Sequence, residues 1–337
     1  MPSWKEFHLR IPKSRHSAKT HTHTSKTMSS KTIAGDGQVS IIIICYNQSH
    51  YLDDAIRSVL AQTVRQPEII VVDDGSTDST AEVAHGYPQA AYVYQQNQGI
   101  SAARNAGLRA STREYVAFLD ADDRLLPKAA EAGLHCFRKH PDSGFVFGRY
   151  HKVDADGSVI SPANRPPDDC DFYTALLQRN LIGMQSTVLY PRDILQRVGG
   201  FDEQLGSCED YDLYLRITRD FPAHRHGEVV AEYRRHGQNM SRDFRSMLQT
   251  TLRVLNAQAP YISRNPWCQE ALKAGLSNWR SHYGNLMVQD FRDNVKSHGL
   301  DLGSMQRFGN LVFTYPQGIR SMTKKALRSM IHRSLGM

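Results

Sequence analysis

Cysteine is scarce in this sequence, and its few cysteines are not spaced for disulfide bonds or metal binding. There are five among 337 residues, an odd number, and no two of them form a C-x-x-C pair. Disulfide frameworks need paired cysteines, and structural zinc sites need clustered thiolate or imidazole ligands. The sequence therefore argues against both and favours a reducing compartment such as the cytoplasm.

Long apolar runs are also missing. No segment approaches the roughly 20 apolar residues that a membrane-spanning helix needs, and the first residues lack the apolar core of a signal peptide. The hydrophobic content of 40% and charged content of 22% are those of a globular protein in water. We expect one large domain or two of ordinary size.

Acidic residues are nearly absent from both ends of the chain. Glu6 is the only acid before Asp36, and no acid follows Asp301. Because the first segment has almost no apolar periodicity, residues 1–37 are predicted to form a disordered basic tail. The C-terminal basic residues are mixed with apolar ones, as in an amphipathic helix that packs on its own protein or lies on a membrane surface.

Three familiar nucleotide and hydrolase motifs do not occur. No glycine-rich loop ends in G-K-[ST], no G-x-G-x-x-G follows the first predicted strand, and no G-x-S-x-G is present. These absences argue against a P-loop NTPase, an ordinary dinucleotide enzyme and a hydrolase with a serine nucleophile elbow.

What the sequence does contain is a regular alternation of strand and helix patterns. The predicted strands are Val39–Cys45, Glu68–Val72, Ala91–Tyr94, Tyr115–Leu119 and Phe145–Phe147, with helical patterns between them. Short connections of this kind indicate a parallel sheet covered by helices on both faces. We predict an α/β domain over residues 38–244 and a mainly helical region over residues 245–337.

Acidic clusters occur at three junctions of the predicted α/β domain: Asp73-Asp74, Asp120-Ala121-Asp122-Asp123 and Glu209-Asp210. The first two directly follow predicted strands, and the carboxyl ends of such strands open onto the crevice where α/β sheets bind ligands. Carboxylates that converge there repel each other unless they share a cation or a proton. A divalent metal that holds a phosphorylated substrate is therefore the first hypothesis.

The side chains of Asp120 and Asp122 project to the same side of an extended segment, which suits Mg²⁺ or Mn²⁺. Asp123 is equally well explained as the cap of the next helix. Asp74 is either a turn residue or an acceptor for a base N–H or a ribose hydroxyl.

Three further positions are candidate site residues. Asp210 is either an acid favoured by a helix N-terminus or a general base. Arg104 is placed to bring a cation near a phosphate. His236 follows a further predicted strand, Val229–Tyr233, and is able to approach a metal, although a lone histidine is more often an ordinary surface residue.

Together these motifs closely resemble the family 2 glycosyltransferases with the GT-A fold. The matching segments are Val39–Asn47, Ile70–Asp78, Asn97–Gly99 with Ala103–Gly107, Phe118–Asp123, and Gly199–Glu203 followed by Glu209–Leu213. The resemblance covers about residues 38–241. It implies a Rossmann-like, mostly parallel sheet flanked by helices, with a helical C-terminal extension.

The resemblance also implies an activity, the inverting transfer of a sugar from a nucleoside-diphosphate sugar to an acceptor hydroxyl. Asp210 would be the base, Asp122 would bind Mn²⁺ or Mg²⁺, and His236 would help to hold metal or diphosphate. The nucleobase pocket would be formed by Ile44, Tyr46 and Asp74. Asp120 would lie by the ribose and the donor sugar.

Two departures from the family narrow the range of activities that we expect. The processive polysaccharide synthases of the family carry a Q-x-x-R-W segment and membrane helices, and this chain has neither. We therefore expect a single addition to a saccharide or lipid-linked acceptor in cell-envelope or surface polysaccharide biosynthesis, with a UDP-sugar as the preferred donor. The basic C-terminus would place the enzyme at the inner face of the cell membrane.

Three alternatives remain at this point. A non-catalytic scaffold of the same fold would bind a nucleotide sugar or a protein partner, but it has little use for Asp210. A nucleotidyltransferase would need a glycine- and Arg/Lys-rich loop after the first strand, where this chain has Tyr46-Asn47-Gln48-Ser49. Nucleic-acid binding through the basic ends would require strongly salt-dependent binding, and we expect no nucleic-acid partner.

Overall fold

The structure of the protein, a computed structural model, describes residues 38–163, 170–237 and 243–316. The predicted tail of residues 1–37 and the basic residues from Arg320 onward lie outside these ranges. The described chain forms two compact units. The first comprises residues 38–163, 170–176, 181–204 and 213–236, and the second comprises residues 177–180, 205–212, 237 and 243–316. The last change of unit follows His236, whereas the predicted boundary follows residue 244.

The described residues contain nine strands in one sheet. They are β1 (Val39–Cys45), β2 (Glu68–Asp73), β3 (Ala90–Tyr94), β4 (Tyr115–Asp120), β5 (Arg124–Leu125), β6 (Phe145–Val153), β7 (Val159–Ser161), β8 (Val188–Pro191) and β9 (Ala223–Arg234). The order is β3-β2-β1-β4-β8-β6-β9-β5, with β7 on β6. The first four strands are mutually parallel, as is the pair β6 and β9, and the remaining pairings are antiparallel.

The helices of the described ranges alternate with the strands at first and then dominate. They are α1 (Ser49–Leu60), α2 (Thr80–His85), α3 (Ile100–Ala110), α4 (Ala129–Lys139), α5 (Phe172–Gln178), α6 (Arg192–Arg197), α7 (Glu209–Thr218), α8 (Phe244–Asn256), α9 (Pro266–His298) and α10 (Leu302–Thr314). The helical character predicted after residue 245 is thus confirmed for the described residues.

The first four predicted strands are confirmed within a residue or two. In β1, β2 and β4, burial on both faces makes the sequence continuously apolar, whereas β3 at the sheet edge is only partly buried. Every residue of β1 is buried. The expectation for Phe145–Phe147 and Val229–Tyr233 was too short. The two strands pair over a long stretch, from Phe145 opposite Ala223 to Val153 opposite Arg234, and this pairing carries polar residues into the sheet.

Helix α3 approaches the sheet closely, and this approach decides where its polar residues lie. A Cβ atom on Gly107 would stand 2.2 Å from Cγ2 of Ile42, so only glycine permits this distance. Eight of the eleven α3 residues are buried, Arg104 and Asn105 among them. The helix therefore delivers a cation and an amide into the interior of the first unit.

The second unit is built on its own apolar core. Side chains of α8, α9 and α10 form the core, namely Leu248, Tyr283, Met287, Val288, Phe291, Val295 and Leu311. Helix α9 starts at Pro266 with Asn265 as its N-cap, and α10 starts with a capping box between Asp301 and Ser304. Within the described ranges, no helix is both long enough and apolar enough to cross a membrane.

Candidate active site

The strand register brings the sequence-predicted residues of the first two motifs to one place. Ile44 of β1 is opposite Asp120 of β4, and Cys45 of β1 is opposite Asp73 of β2. These strands are parallel, so their carboxyl ends meet at one edge of the sheet, where α/β folds bind ligands. Asp74 continues the alignment, because its backbone N–H donates to the carbonyl oxygen of Cys45 at 2.9 Å.

The loop after β1 is tied to the loop after β2. The backbone N–H of Asn47 donates to Oγ of Ser76 at 2.9 Å, and Oδ1 of Asn47 accepts from the N–H of Thr77 at 2.8 Å. Asn47 has a φ of 53°, a left-handed conformation that asparagine tolerates better than most residues. These bonds fix the segment that carries Tyr46, whose side chain is half exposed, while Ile44 beneath it is buried.

Asp74 is buried and organises the loop after β3. Its carboxylate accepts hydrogen bonds from the backbone N–H groups of Gln98 and Gly99, both at 2.9 Å, and from Nε2 of Gln95 at 2.7 Å. A carboxylate offers about four acceptor positions. One position therefore remains for a donor such as the N–H group of a nucleobase.

Asp120 is oriented by Arg104. Nη2 of Arg104 donates to Oδ1 of Asp120 at 2.8 Å, and the side chain of Arg104 is 2% exposed whereas that of Asp120 is 34% exposed. The guanidinium also lies 5.4 Å from the ring centroid of Phe201. Such a position supports a role in aiming Asp120 at a ligand rather than direct phosphate binding. Charge-assisted bonds of this kind are geometrically specific.

Phe201 is itself held in place by α3. Asn105 donates from Nδ2 to the carbonyl oxygen of Phe201 and accepts at Oδ1 from its backbone N–H, both at 2.9 Å. Gly200 has a φ of 68°, and a Cβ atom there would lie 2.5 Å from Oδ1 of Asn105. The Gly199–Glu203 motif thus holds Phe201 against Arg104, the residue that is bonded to Asp120.

Asp122 and His236 meet across 114 residues of sequence. Oδ2 of Asp122 and Nε2 of His236 are 2.8 Å apart, and both side chains are largely buried, at 13% and 9% exposed. Burial raises the pKa of Asp122 and the charge of Asp120 raises it further, while the hydrogen bond from His236 lowers it. The predicted proximity of His236 to the acidic cluster is therefore observed.

These two side chains fit a small divalent cation. With metal–ligand distances of about 2.1 Å, two adjacent ligands of an octahedral ion lie about 3 Å apart. The observed distance between Oδ2 of Asp122 and Nε2 of His236, 2.8 Å, is close to this value. No cluster of three or more His, Cys, Asp or Glu ligands occurs among the described residues. Such an ion would therefore take its other ligands from water and a bound substrate, which is usual for Mg²⁺.

Asp123 has a structural role. It is 2% exposed, and its Oδ1 accepts from the backbone N–H of Arg234 at 2.9 Å. Burial raises its pKa well above the usual range, and the charges of Asp122 and Asp120 add to this effect. No sequence pattern signals this bond, because it joins two residues that are 111 positions apart.

Asp210 lies in the second unit, in the first turn of α7. Its Oδ1 accepts from the backbone N–H of Tyr211 at 2.6 Å, and the neighbouring Glu209 is buried. Cys208, just before the helix, has a φ of 57°, an uncommon conformation for a residue that is not glycine. Backbone strain of this kind often accompanies functional positions.

Comparison with known proteins places this chain in a family. The family model described as Glycosyl transferase family 2 matches residues 40–199. A glycosyltransferase of Rickettsia prowazekii (strain Madrid E) is 32% identical over 229 residues, which are 66% of this chain and 69% of the relative. The chain belongs to glycosyltransferase family 2. This family 2 glycosyltransferase spans only about a third of the length of three other curated relatives, 35%, 30% and 35%.

Solved structures agree with this family 2 assignment in fold. TarS 1–349 of S. aureus, solved in complex with UDP-GlcNAc, gives a TM-score of 0.61 at 18% identity, over 83% of this chain and 81% of that one. The mannosyltransferase PcManGT from Pyrobaculum calidifontis, solved with GDP-Man and Mn²⁺, gives a TM-score of 0.55 at 19% identity, over 89% and 87%. The mostly parallel sheet flanked by helices, expected from the motifs, is confirmed.

Proposed function

We propose that this family 2 glycosyltransferase moves a sugar from a nucleoside-diphosphate sugar to an acceptor hydroxyl with inversion at the anomeric carbon. The observation that carries the proposal is the convergence of Asp74, Asp120 and the Asp122–His236 pair at the carboxyl edge of the parallel strands. This edge offers an acceptor for a base, an acceptor for a sugar and a pair of metal ligands.

The nucleoside end of the donor would bind between the loops after β1 and β3. Asp74 has one acceptor position left for a base N–H, and the half-exposed ring of Tyr46 and the side chain of Ile44 form the apolar side of the pocket. Asp120, fixed by Arg104, would accept from hydroxyls of the ribose and the donor sugar. A UDP-sugar is our preferred donor.

Asp122 and His236 would hold Mn²⁺ or Mg²⁺. The bound ion would neutralise charge on the diphosphate leaving group. The chain's own contribution is a pair of partly buried ligands, which bind more strongly in a poorly solvated site than at an open surface. Support for the ion comes from the fit of the ligand pair and from the Mn²⁺ in PcManGT.

Asp210 would act as the general base. It would accept the proton of the acceptor hydroxyl while that oxygen attacks the anomeric carbon and the bond to the diphosphate breaks. One displacement of this kind inverts the anomeric configuration. It lies in the first turn of α7, where acids complement the positive end of the helix dipole.

The acceptor would be a lipid-linked or cell-envelope saccharide met at the inner face of the cell membrane. Two observations support this part of the proposal. After Asp301 the chain contains basic residues and no acids, and α10 exposes apolar side chains at Leu302, Met305 and Val312. Surfaces with both features bind anionic lipid.

Calorimetric titration of UDP, dTDP and GDP, each with and without Mn²⁺, tests the donor site. We expect one nucleotide to bind tightly, and Asp122→Ala to remove only the part of the affinity that depends on Mn²⁺. Asp142→Ala, which removes an exposed carboxylate elsewhere in the first unit, is the matched control. If no nucleotide binds the wild type, the transferase proposal fails.

Asp210→Asn separates a transferase from a binding scaffold. The substitution preserves the size of the side chain and an oxygen that can accept from Tyr211. We expect turnover of the nucleotide sugar to fall by about 10²–10⁴-fold while donor affinity is kept. Asp193→Asn, an exposed acid in the first turn of α6, is the control. Equal turnover in wild type and Asp210→Asn would contradict the assignment of the base.

A further inference from the structure

Arg234, the last residue of β9, hydrogen-bonds to four residues in three separate segments of the first unit although it is only 5% exposed. Its backbone N–H donates to Oδ1 of Asp123 at 2.9 Å, Nε to the carbonyl oxygen of Asp122 at 2.9 Å, Nη1 to the carbonyl oxygen of Ala155 at 2.8 Å, and Nη2 to Oδ2 of Asp54 at 3.0 Å. A buried guanidinium is costly unless its donors are satisfied, and here every nitrogen group of the fork has a partner.

The bond from Nε matters most for the candidate metal site. It fixes the main chain of Asp122, the residue whose carboxylate would bind the ion. The bond from the backbone N–H fixes Asp123, the next residue along. Arg234 therefore holds two consecutive residues of the acidic loop, while its own side chain stays away from solvent.

Arg234 also acts on the other ligand, His236, through Tyr51. The guanidinium carbon lies 4.8 Å from the ring centroid of Tyr51, and the same ring lies 5.3 Å from the ring centroid of His236 at an interplanar angle of 33°. Tyr51 thus contacts both the cation and the imidazole. A cation over an aromatic face is attracted to it, which restrains the ring that contacts His236.

We propose that Arg234 is the positioning residue of the Asp122–His236 pair. It keeps the main chain of Asp122 and, by way of Tyr51, the ring of His236 in the arrangement that brings Oδ2 and Nε2 to 2.8 Å. It does not touch the donor. The proposal rests on the proposed use of a divalent ion, and it predicts that the rigid fork of arginine, not merely its charge, is required.

The test is the Mn²⁺ affinity of Arg234→Lys, measured by calorimetry with UDP at saturation. Lysine keeps the charge but cannot donate in three fixed directions. We expect the affinity for Mn²⁺ to fall about tenfold or more, as for loss of other groups that orient metal ligands. The metal-free affinity for UDP should be unchanged, and turnover should recover when Mn²⁺ is raised.

The matched control is Arg124→Lys, which alters another arginine bound to a carboxylate, Glu232 at 2.7 Å. Unchanged Mn²⁺ affinity in Arg234→Lys, with the wild type binding the ion through Asp122, would overturn the positioning role and leave the proposed function standing. A wild type that binds no divalent ion would overturn both.

If Arg234→Lys does not fold, as judged by its melting curve, Tyr51→Leu decides. It removes the ring that contacts both Arg234 and His236 and leaves the buried guanidinium and its hydrogen bonds in place. Weaker Mn²⁺ binding with unchanged metal-free binding of UDP would support the positioning role. Wild-type Mn²⁺ affinity in this variant would refute it.

Discussion

The carboxylates at the carboxyl edge of the strands differ in what donates to each of them. Asp73 accepts from the N–H of Ser76 and from the hydroxyl of Tyr92, both at 2.7 Å, one bond to each oxygen. Its neighbour Asp74 accepts three bonds, all from the segment Gln95–Gly99, whereas Asp120 accepts from Arg104 and is a third exposed. The two adjacent aspartates are therefore both bonded within the fold, and Asp120 is the more open to solvent.

Arg104 and Asp120 provide a prediction at this scale. Arg104→Met should lower the free energy of unfolding by about 2 kcal/mol, because it removes a charge-assisted bond but leaves Asp120 partly in water. In Asp120→Asn the same change at Arg104 should cost less. Urea denaturation of the four proteins of this double-mutant cycle measures the coupling. Equal costs in both backgrounds would show that Arg104 does not act through Asp120.

At the scale of helices and strands, local sequence patterns located the first four strands. They did not reveal the shortest strands or the long-range bonds of Arg234 at the candidate site. Continuous apolar runs are visible in a sequence, whereas β5 has two residues and β7 has three, too few for any periodicity. The bond between Arg234 and Asp54 joins residues that are 180 positions apart. Nothing in a single sequence signals such a contact, so Arg234 and Tyr51 received no role there.

Helix α10 carries a prediction of its own. Its exposed apolar stripe recurs at helical spacing and consists of Leu302, Met305 and Val312. These three side chains are 86%, 67% and 38% exposed, respectively. We expect the pair Leu302→Glu and Met305→Glu to weaken sedimentation with anionic vesicles about tenfold or more, because it removes apolar contact and adds repulsion.

Asn285→Glu with Gln289→Glu is the control for this experiment, since it adds the same charge to exposed positions of α9. The control should bind vesicles more strongly than the α10 variant does. Equal loss in both variants would mean that net charge alone decides the binding and that the apolar stripe has no part in it.

At the scale of the whole molecule, the site depends on sheet topology more than on any one motif. β9 is parallel to β6, runs for twelve residues and ends at Arg234, so the chain reaches His236 only after crossing the first unit. The family resemblance named the candidate carboxylates and also His236, just after this strand, as a candidate ligand. It did not single out Arg234, the last residue of the strand, which we propose positions that ligand.

Strand β9 also carries a partly buried histidine, which makes the stability of the protein depend on pH. His226 lies on this strand, and burial lowers its pKa from 6.5 to about 4. The unfolded chain therefore binds the proton more readily between these values, so this histidine's contribution is complete above pH 6.5 and is lost as the pH falls toward 4. Asp122 and Asp123, whose pKa values are raised, act in the opposite direction.

The His226 contribution is isolated by comparing wild type with His226→Gln in urea denaturation from pH 7.5 to pH 4. Since one proton corresponds to about 1.4 kcal/mol per pH unit, the free energy of unfolding of the wild type should fall relative to that of the variant by up to this slope below pH 6.5. Above that pH the difference between the two proteins should be constant. A difference that does not change with pH would mean that His226 accepts a proton equally well in the folded and the unfolded chain. Its position on β9 would then not desolvate it.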